Sequence, residues 1–503
     1  MKRTILLLIF SCSISYSQTD GSLDTSFGTN GKVITDLSSS TDYAFDGIQL
    51  PDNKILVGGY TTLKGQDNLI LKYLPNGALD TSFGTNGYSI VEFGNDLSLV
   101  RKIGIQNDGK IILAGRSGAS LAHATISRLN TDGTLDTTFG TNGITTKVIG
   151  SESDIQGLHI LPDNKIIVVG YALNSNSDIL AIKLNADGTY DNSFGTNGVQ
   201  IIDFESLSQR AFCSVMNGDK ILIGGVVSNP TESSLLVQLN SDGSIDKSFG
   251  LNGYSYAQFG ANLQDNYDRF MTIKIANNKI YGVGSRATSA FKYVINLAKF
   301  SIDGQLDTTF SDDGKILIDT KSEKDFINDI NILQNNSILL AGVTSTTSTS
   351  NSLLIKLNPD GTYKTNFGVK GIVTTNMNSS NSTIQKVIVN GDHFITIGTT
   401  SPTANPNIGL AKYKNSNSLG IPENQFKGKN FNVFPNPVKD KLNITSLSGQ
   451  KPEFVTLINA KGQTLFQNKL NTEQINVESL PKGIYILKIY SEGVTENVKI
   501  IKY

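Results

Sequence analysis

The hydrophobic and polar positions of this chain form short runs that end at turn residues, a pattern that predicts β-strands. Between residues 88 and 130 four such runs occur, namely YSIVEF, LVRKIGIQ, KIILAG and ATISRLN. The second and third runs are joined by Asn107-Asp108-Gly109, and Asn/Asp-Gly pairs accept the positive φ angles that tight hairpins require. We therefore expect four short strands in this stretch, with the middle two paired antiparallel.

Two phrases of this stretch are repeated along the chain. The third run returns seven times, as KILVGG, KIILAG, KIIVVG, KILIGG, KIYGVG, SILLAG and HFITIG, and such continuous apolar runs fit strands buried on both faces. The connector LDTSFGTNG is identical at residues 23–31 and 79–87 and recurs in five altered copies. The seven connector phenylalanines are 55 to 61 residues apart: Phe27, Phe83, Phe139, Phe194, Phe249, Phe310 and Phe367.

Seven repeats of four strands predict an all-β fold, a seven-bladed β-propeller of four-stranded blades followed by a small C-terminal β-sandwich. Each connector phenylalanine is predicted to pack between adjacent blades. The seventh repeat stops at GLAKYK with no connector or strand after it. We therefore predict that the strand at residues 32–37 pairs with the strand at 408–413 and closes the ring.

The repeat, of the form A..I..Q.DGKI.VAG…L.RLN.DG.LD.SFG.NG, resembles the delta-60 repeat, a bacterial β-propeller repeat, and more distantly the NHL repeat. The resemblance covers residues from about Asp20 to Lys414, and the sixth and seventh connectors depart from the pattern. It implies a propeller fold but little chemistry.

A polar segment at residues 415–430 is interpreted as a linker, and residues 431–503 are predicted to form a second β domain. That domain resembles the type A sorting domain of type IX secretion in Bacteroidetes. The resemblance rests on the FPNP entry, an N..G turn and the L..G.Y.L.I run, with motif residues Phe434, Pro435, Asn436, Pro437, Gly462, Gly483 and Tyr485. It implies a partner in the type IX secretion machinery and transport across the outer membrane.

The N-terminus, MKRTILLLIFSCSISYSQ, has the basic start, apolar run and small residues of a secretory signal peptide, assigned to residues 1–17. The propeller is then assigned to residues 18–414, and the protein is expected at the cell surface or secreted, through the periplasm. No membrane span is expected. With 43 basic and 44 acidic residues the charge favours no nucleic acid, and a monomer is expected.

Catalytic chemistry finds little support in the sequence. The three histidines, His123, His159 and His393, fall at different places of the repeat, and Cys213 has no neighbouring partner. The recurring Asp-Gly turns lack the distal glutamate of a calcium loop. No cofactor, no metal site and no enzymatic activity are therefore predicted, although calcium binding at these turns stays open.

The loops that differ between repeats are the predicted place of function, on one face of the propeller. Because aromatic and arginine side chains contribute much of the energy of binding, Arg210, Tyr267, Arg269 and Arg286 are candidate ligand-binding residues. The predicted function is a binding platform for an extracellular glycan or protein. A polysaccharide hydrolase or lyase and a structural coat protein are the alternatives. Clustered carboxylates at the channel mouth would favour the enzyme, and an aromatic–arginine patch would favour binding.

Overall fold

The computed structural model describes residues 20–38, 40–92, 97–118, 121–204, 207–228, 232–260, 268–289, 292–377, 381–401, 405–415, 431–446, 454–459, 464–469, 474–491 and 494–502. Contacts divide the chain into two compact units, Met1–Leu419 and Gly420–Tyr503. The secondary structure of the described residues consists of strands. Among them there is no helix long and apolar enough to cross a membrane.

The first unit contains seven antiparallel groups of four strands within its described part. The first strands of the groups are β2 (Asp42–Gln49), β6 (Ser98–Ile105), β10 (Glu152–Ile160), β14 (Ser208–Asn217), β18 (Arg269–Ala276), β22 (Lys324–Ile332) and β26 (Asn381–Asn390). The second strands are β3 (Ile55–Thr61), β7 (Ile111–Ser117), β11 (Ile166–Leu173), β15 (Lys220–Ser228), β19 (Lys279–Ser289), β23 (Ile338–Ser345) and β27 (His393–Ser401).

The third strands are β4 (Asp67–Tyr73), β8 (His123–Leu129), β12 (Ser177–Leu184), β16 (Glu232–Leu239), β20 (Lys292–Ser301), β24 (Ser350–Leu357) and β28 (Asn407–Lys414). The fourth strands are β5 (Tyr88–Val91), β9 (Ile144–Lys147), β13 (Val199–Ile202), β17 (Tyr254–Ala257), β21 (Lys315–Ile318), β25 (Ile372–Thr375) and, from the chain start, β1 (Lys32–Thr35). We call the groups blades 1 to 7 in the order of their first strands.

The first strands form a closed cycle. Each contacts the first strand of the next blade, and β26 of blade 7 contacts β2 of blade 1. The first strands are therefore the inner strands of a radial arrangement. The prediction of an all-β propeller is confirmed.

Strand β1 completes blade 7, as predicted for ring closure. It pairs antiparallel with β28 from Lys32↔Ala411 to Thr35↔Ile408. The N-terminal strand thereby covers the edge that β28 would otherwise expose, and it ties the two ends of the propeller together through backbone hydrogen bonds.

The connector phenylalanines are almost completely buried, with exposures of 0 to 1%. Phe139 packs in a cluster with Ile112 of blade 2 and with Ile166 and Leu180 of blade 3. The predicted packing between blades is therefore confirmed for this residue. The glycine after it, Gly140, has φ of 53°, and a Cβ there would lie 2.4 Å from the Ile144 carbonyl oxygen, so the connector requires glycine at this position.

The second unit is a small β-sandwich. One sheet has the order β29 (Phe431–Phe434), β30 (Lys441–Ser446) and β33 (Gln474–Asn476). The other has the order β32 (Thr464–Lys469), β31 (Phe454–Asn459), β34 (Gly483–Ser491) and β35 (Val494–Lys502). Both sheets contribute to one core, which includes Leu442 and Ile444 from the first and Val455 and Leu487 from the second.

Candidate functional site

Every inner strand of the propeller carries a β-bulge at the same place. The register against the second strand shifts across one residue in each of the seven blades. A bulge redirects the side chain of the extra residue and often occurs beside functional sites. The bulged residues are all partly buried and differ in character between blades: Phe45, Arg101, Gln156, Phe212, Met271, Asn328 and Gln385.

Inner strands begin on the face of the propeller that carries the variable loops. The Ser98 amide donates to the Gln66 carbonyl at 2.7 Å, and the Ser153 amide donates to the Ala122 carbonyl at 2.9 Å. Each bond joins the start of one inner strand to the loop between the second and third strands of the preceding blade. We call this side the loop face and the opposite side, which carries the LDTSFGTNG connectors, the connector face.

Three aromatic rings of blade 1 cluster toward the loop face. The Tyr43 ring stacks on the Tyr60 ring with centroids 5.1 Å apart, and the Phe45 ring lies 6.0 Å from the Tyr60 ring. The guanidinium of Arg101, the bulged residue of blade 2, lies 4.7 Å from the Phe45 ring centroid. Aromatic faces and a cation are thus combined at the boundary of two blades.

Arg101 also begins a network of charges that extends into blade 3. Its Nη2 lies 3.3 Å from Oδ2 of Asp154, and Arg116 Nη1 donates to Glu152 Oε1 at 2.7 Å. Arg116 Nε is 3.9 Å from the same Asp154 oxygen. Asp154 is completely buried, and this burial raises the pKa of its carboxyl despite the two arginines.

The network continues to blade 4 through Tyr171, which lies directly opposite Asp154 in the pairing of β10 with β11. The guanidinium of Arg210, on the next inner strand, lies 5.2 Å from the Tyr171 ring centroid. Arg210 Nε donates to the Ser177 hydroxyl at 3.1 Å. One continuous set of contacts thus spans four blades, and we call it the aromatic–arginine band: Tyr43, Phe45, Tyr60, Arg101, Arg116, Glu152, Asp154, Tyr171 and Arg210.

The four predicted ligand-binding residues are placed differently. Arg210 belongs to the band, whereas Tyr267 lies outside the described residues. Arg269 is held in an ion pair with Glu232, with Nη2 3.0 Å from Oε1. Arg286 is only 7% exposed and lies 3.3 Å from the carboxylate of the buried Asp268. The structure therefore brings Arg210, and neither Arg269 nor Arg286, into the band.

The other members of the band were not predicted, because they lie within strands or far from the variable loops in the sequence. Phe45 and Arg101 lie in the middle of strands, where a bulge determines the direction of their side chains. One signal was available in the sequence. At the bulge position the seven repeats differ, although the residue directly before it is apolar in every repeat.

The environments of His159 and Cys213 bear on the prediction that the propeller has no catalytic site. His159 Nε2 lies 2.8 Å from the Ser214 hydroxyl, and burial, helped by Lys102, lowers the pKa of His159 to about 4. Burial raises the pKa of Cys213 to about 12, which keeps the thiol protonated. Within the described part of the chain no group of His, Cys, Asp and Glu side chains is arranged to hold a metal ion.

In the second unit the FPNP motif joins the first and last strands. The Asn436 amide donates to the Lys499 carbonyl, and its oxygen accepts from the Ile501 amide at 2.9 Å. The Tyr485 hydroxyl donates to the Pro481 carbonyl at 2.7 Å. Phe434 is partly exposed, and Gly462 lies outside the described residues.

Two family models match this chain. The model described as "Secretion system C-terminal sorting domain" matches residues 432–503. The model described as "Domain of unknown function (DUF5122) beta-propeller" matches residues 50–83, 106–139, 161–194 and 219–249. No curated protein matches the sequence.

Solved structures with a similar fold include three of low sequence identity. The chain is 10% identical to inactive virginiamycin B lyase from Staphylococcus aureus, with 76% of this chain and 98% of that chain covered and a TM-score of 0.42. It is 9% identical to a polysaccharide lyase, PL25 ulvan lyase, with coverages of 79% and 94% and a TM-score of 0.43.

The third is the β-propeller domain of the Trilobed protease from Pyrococcus furiosus, at 10% identity, coverages of 75% and 99% and a TM-score of 0.37.

The sorting domain matched at residues 432–503 indicates export to the cell surface or the extracellular space. The chain therefore combines β-propeller repeats of the DUF5122 type with a secretion system C-terminal sorting domain.

Proposed function

We propose that the propeller is a non-enzymatic binding module, secreted or displayed at the cell surface, whose ligand site is the aromatic–arginine band. The observation that carries this proposal is the continuity of the band, since described contacts link Tyr60 of blade 1 to Arg210 of blade 4. Tyrosine and arginine are enriched among residues that dominate binding energies, and here they are partly exposed rather than buried in the core.

The band is also fixed in position before any ligand arrives. Arg101 and Arg116 are held by the carboxylates of Asp154 and Glu152, and Arg210 is held by a ring and a hydroxyl. Because these side chains are already ordered, little conformational entropy is lost when a ligand binds. This arrangement supports recognition by a rigid surface.

For export we propose that residues 1–17 are a signal peptide, residues 18–414 the binding module, residues 415–430 a linker and residues 431–503 the sorting domain. The match at residues 432–503 supports this division. Deleting residues 431–503 in the native host should leave the protein in the periplasm. Equal amounts of truncated and full-length protein in the medium and at the surface would contradict the proposal.

The test of binding uses the mature protein on an array of glycans and extracellular proteins, followed by affinity measurement for each bound probe. Replacing Tyr60 with alanine should weaken binding about tenfold, as expected for an aromatic residue that dominates a contact. The matched control is Tyr88→Ala, because Tyr88 is a partly buried tyrosine on the outer strand of the same blade. Equal affinities of the wild type and Tyr60→Ala would contradict the proposed site.

The alternative function, a polysaccharide hydrolase or lyase, would require Asp154, which is completely buried here, to become accessible to the substrate. Burial raises the pKa of this carboxyl, and a raised pKa is typical of groups that transfer protons. The same purified protein should therefore be incubated with each bound polysaccharide. New reducing ends or unsaturated products that disappear in Asp154→Asn would replace the binding proposal with the enzyme.

A further inference from the structure

Arg210 differs from the other arginines of the loop face in having no carboxylate partner among the described residues. Arg101, Arg116, Arg269 and Arg286 each lie within 4 Å of an aspartate or glutamate. Arg210 instead contacts a hydroxyl and an aromatic ring, and it is exposed. Its positive charge is therefore compensated by no acidic side chain in the part of the chain that the structure describes.

The guanidinium of Arg210 is held in a defined orientation. Nε donates to the Ser177 hydroxyl at 3.1 Å, and Ser177 itself is buried. The Tyr171 ring, 5.2 Å away, supports the guanidinium through a cation–π contact. The four N–H groups on the two terminal nitrogens make no hydrogen bond within the described residues, and this planar fork matches the two oxygens of a carboxylate or sulfate.

The rest of the band determines which anionic ligand fits. Arg101 and Arg116 balance Glu152 and Asp154, so Arg210 gives the band a net charge of +1 from three arginines and two carboxylates. A segment with many adjacent carboxylates would be repelled by the partly exposed Glu152 and, through space, by the buried Asp154. A ligand with widely spaced anionic groups would not be repelled in this way.

The uncharged part of the ligand must match aromatic rings and mixed hydrogen-bonding groups. The hydroxyls of Tyr43, Tyr60 and Tyr171 both donate and accept hydrogen bonds, as the hydroxyls of a sugar do. The three rings of blade 1 offer apolar surface to the C–H faces of a sugar ring. A chain of sugars with one carboxylate on each ring, so that a whole sugar separates neighbouring charges, satisfies both requirements.

We propose that the band binds an acidic polysaccharide and that Arg210 pairs with a carboxylate or sulfate of the chain. This inference rests on the proposed binding function and adds the class of ligand and the residue that selects it. The recognition is charge-assisted and bidentate, so loss of the guanidinium should weaken binding about tenfold.

The experiment compares oligogalacturonate with its methyl ester, which has the same sugar backbone without the charge, on the full mature protein. Oligogalacturonate should bind at least about tenfold more tightly, and Arg210→Gln should abolish that preference, whereas Arg210→Lys should restore part of it. Lys247→Gln is the matched control, because Lys247 is an exposed cation on the connector face. The melting temperature should be equal in all four proteins.

The two proposals fail in different ways. Equal binding of the acid and the ester that is lost in Tyr60→Ala but not in Arg210→Gln would overturn the anionic ligand and leave the proposed site standing. Oligosaccharide binding that neither variant changes would overturn both. Binding of poly-glutamate in preference to every oligosaccharide would show that the ligand is an acidic peptide and would also overturn the inference.

Discussion

The two faces of the propeller are made from the same seven repeats, but the connector face is nearly uniform and the loop face differs from blade to blade. In six of the seven connectors a glycine follows the buried phenylalanine, and its amide donates to a carbonyl of the following blade, as in Gly84 to Asp132 and Gly140 to Asp187. The sixth connector has Ser311 at this position. Gly368 donates to Asp20 at 2.9 Å and closes this belt. On the loop face Arg101 pairs with Asp154, whereas the corresponding Phe45 contacts aromatic rings.

Aspartates of the connectors serve structure. Asp136 accepts from the Thr138 amide and hydroxyl, and its other oxygen contacts Lys110 and Arg128. The same arrangement recurs at Asp80, Asp191, Asp246 and Asp307. The repeated carboxylates therefore hold a turn and a lysine in each of these five connectors. This comparison teaches that repeated polar residues stabilise the ring, whereas polar residues that vary between blades are candidates for binding.

The seventh connector is an exception that shows how the ring closes. It has Lys364 where the other connectors have aspartate, so Lys356 lacks the usual acidic partner. Lys356 Nζ instead lies 2.8 Å from Asp20 Oδ2, with side-chain exposures of 0% and 1%. Near the chain start, Asp20 thus provides the missing carboxylate. Closure consists of a strand, further backbone hydrogen bonds and a buried ion pair.

The largest expected effect comes from deleting residues 18–37, which removes both β1 and Asp20. The deletion should expose the edge of β28 and leave Lys356 buried without a partner, so the protein should aggregate. Size-exclusion chromatography with light scattering measures the outcome. Ile34→Thr is the control, because Ile34 lies in the same strand with its side chain partly exposed. A monomeric deletion protein with unchanged melting temperature would contradict the role of β1.

On the connector face the next largest effect is expected from Phe139→Ala. Truncating this buried ring should lower the free energy of unfolding by about 3–5 kcal/mol, because a cavity forms between blades 2 and 3. Urea denaturation measures the change. Leu251→Ala, at a connector side chain that is 74% exposed, should have almost no effect. Similar losses in the two variants would contradict the packing role of the phenylalanine.

Breaking the buried ion pair should be the next most costly change. Asp20→Ala leaves the Lys356 ammonium buried, and we expect the free energy of unfolding to fall by about 3 kcal/mol. Asp24→Ala is the matched control in the same segment, since its pair with Lys412 is partly exposed and should contribute at most about 1 kcal/mol. Equal effects of the two variants in thermal or urea unfolding would show that burial of the pair is unimportant.

The difference between the faces also explains what the sequence could predict. The blades and the buried phenylalanines were predictable because their residues recur in every repeat. The closing strand was predictable because the seventh repeat has no connector or strand after GLAKYK. Asp20 was not singled out, because its partner Lys356 is 336 residues away and the pair depends on closure.

The candidate site was predictable only in part, because several of its side chains are positioned by partners that are distant in the sequence. Arg286 was predicted to bind a ligand, but it lies beside the buried Asp268, whose carboxylate also accepts a hydrogen bond from the Phe259 amide. Arg101 was not predicted, because the direction of its side chain depends on a β-bulge, and the residue type at the bulge differs between blades. Arg210 was predictable because it lies near a loop that differs between repeats and because arginine side chains contribute much of the energy of binding.

A smaller loss of folding stability is expected when the pH is lowered. Hydrogen bonds from Ser82, followed by those from Lys54, lower the pKa of Asp80 to about 2, and similar bonds from Ser193 and Lys165 outweigh burial and lower that of Asp191 to about 2. Because the folded-state pKa is below the unfolded value near 4, this stability is present above pH 4 and is lost as the pH falls toward 2.

Thermal unfolding between pH 5 and pH 2 measures this loss. The melting temperature should fall over that range. The melting temperature of Asp80→Asn should fall by roughly a few degrees less than that of the wild type, because the neutral amide does not titrate. Lys64→Gln serves as the control, since its pair with Glu92 is exposed. An acid dependence that is identical in wild type and Asp80→Asn would contradict the contribution of the connector carboxylates.

The smallest change in stability is expected on the loop face, from Arg269→Gln. Arg269 and Glu232 have side-chain exposures of 39% and 20%, so the pair should contribute less than about 1 kcal/mol to folding. Its guanidinium is already occupied by Glu232, so Arg269→Gln should also change the affinity for oligogalacturonate far less than Arg210→Gln does. Measuring both affinities beside both melting temperatures makes the comparison direct. If the two variants lost affinity equally, the absence of a carboxylate beside Arg210 would not be what selects the ligand, and the loop face would bind through its summed positive charge instead.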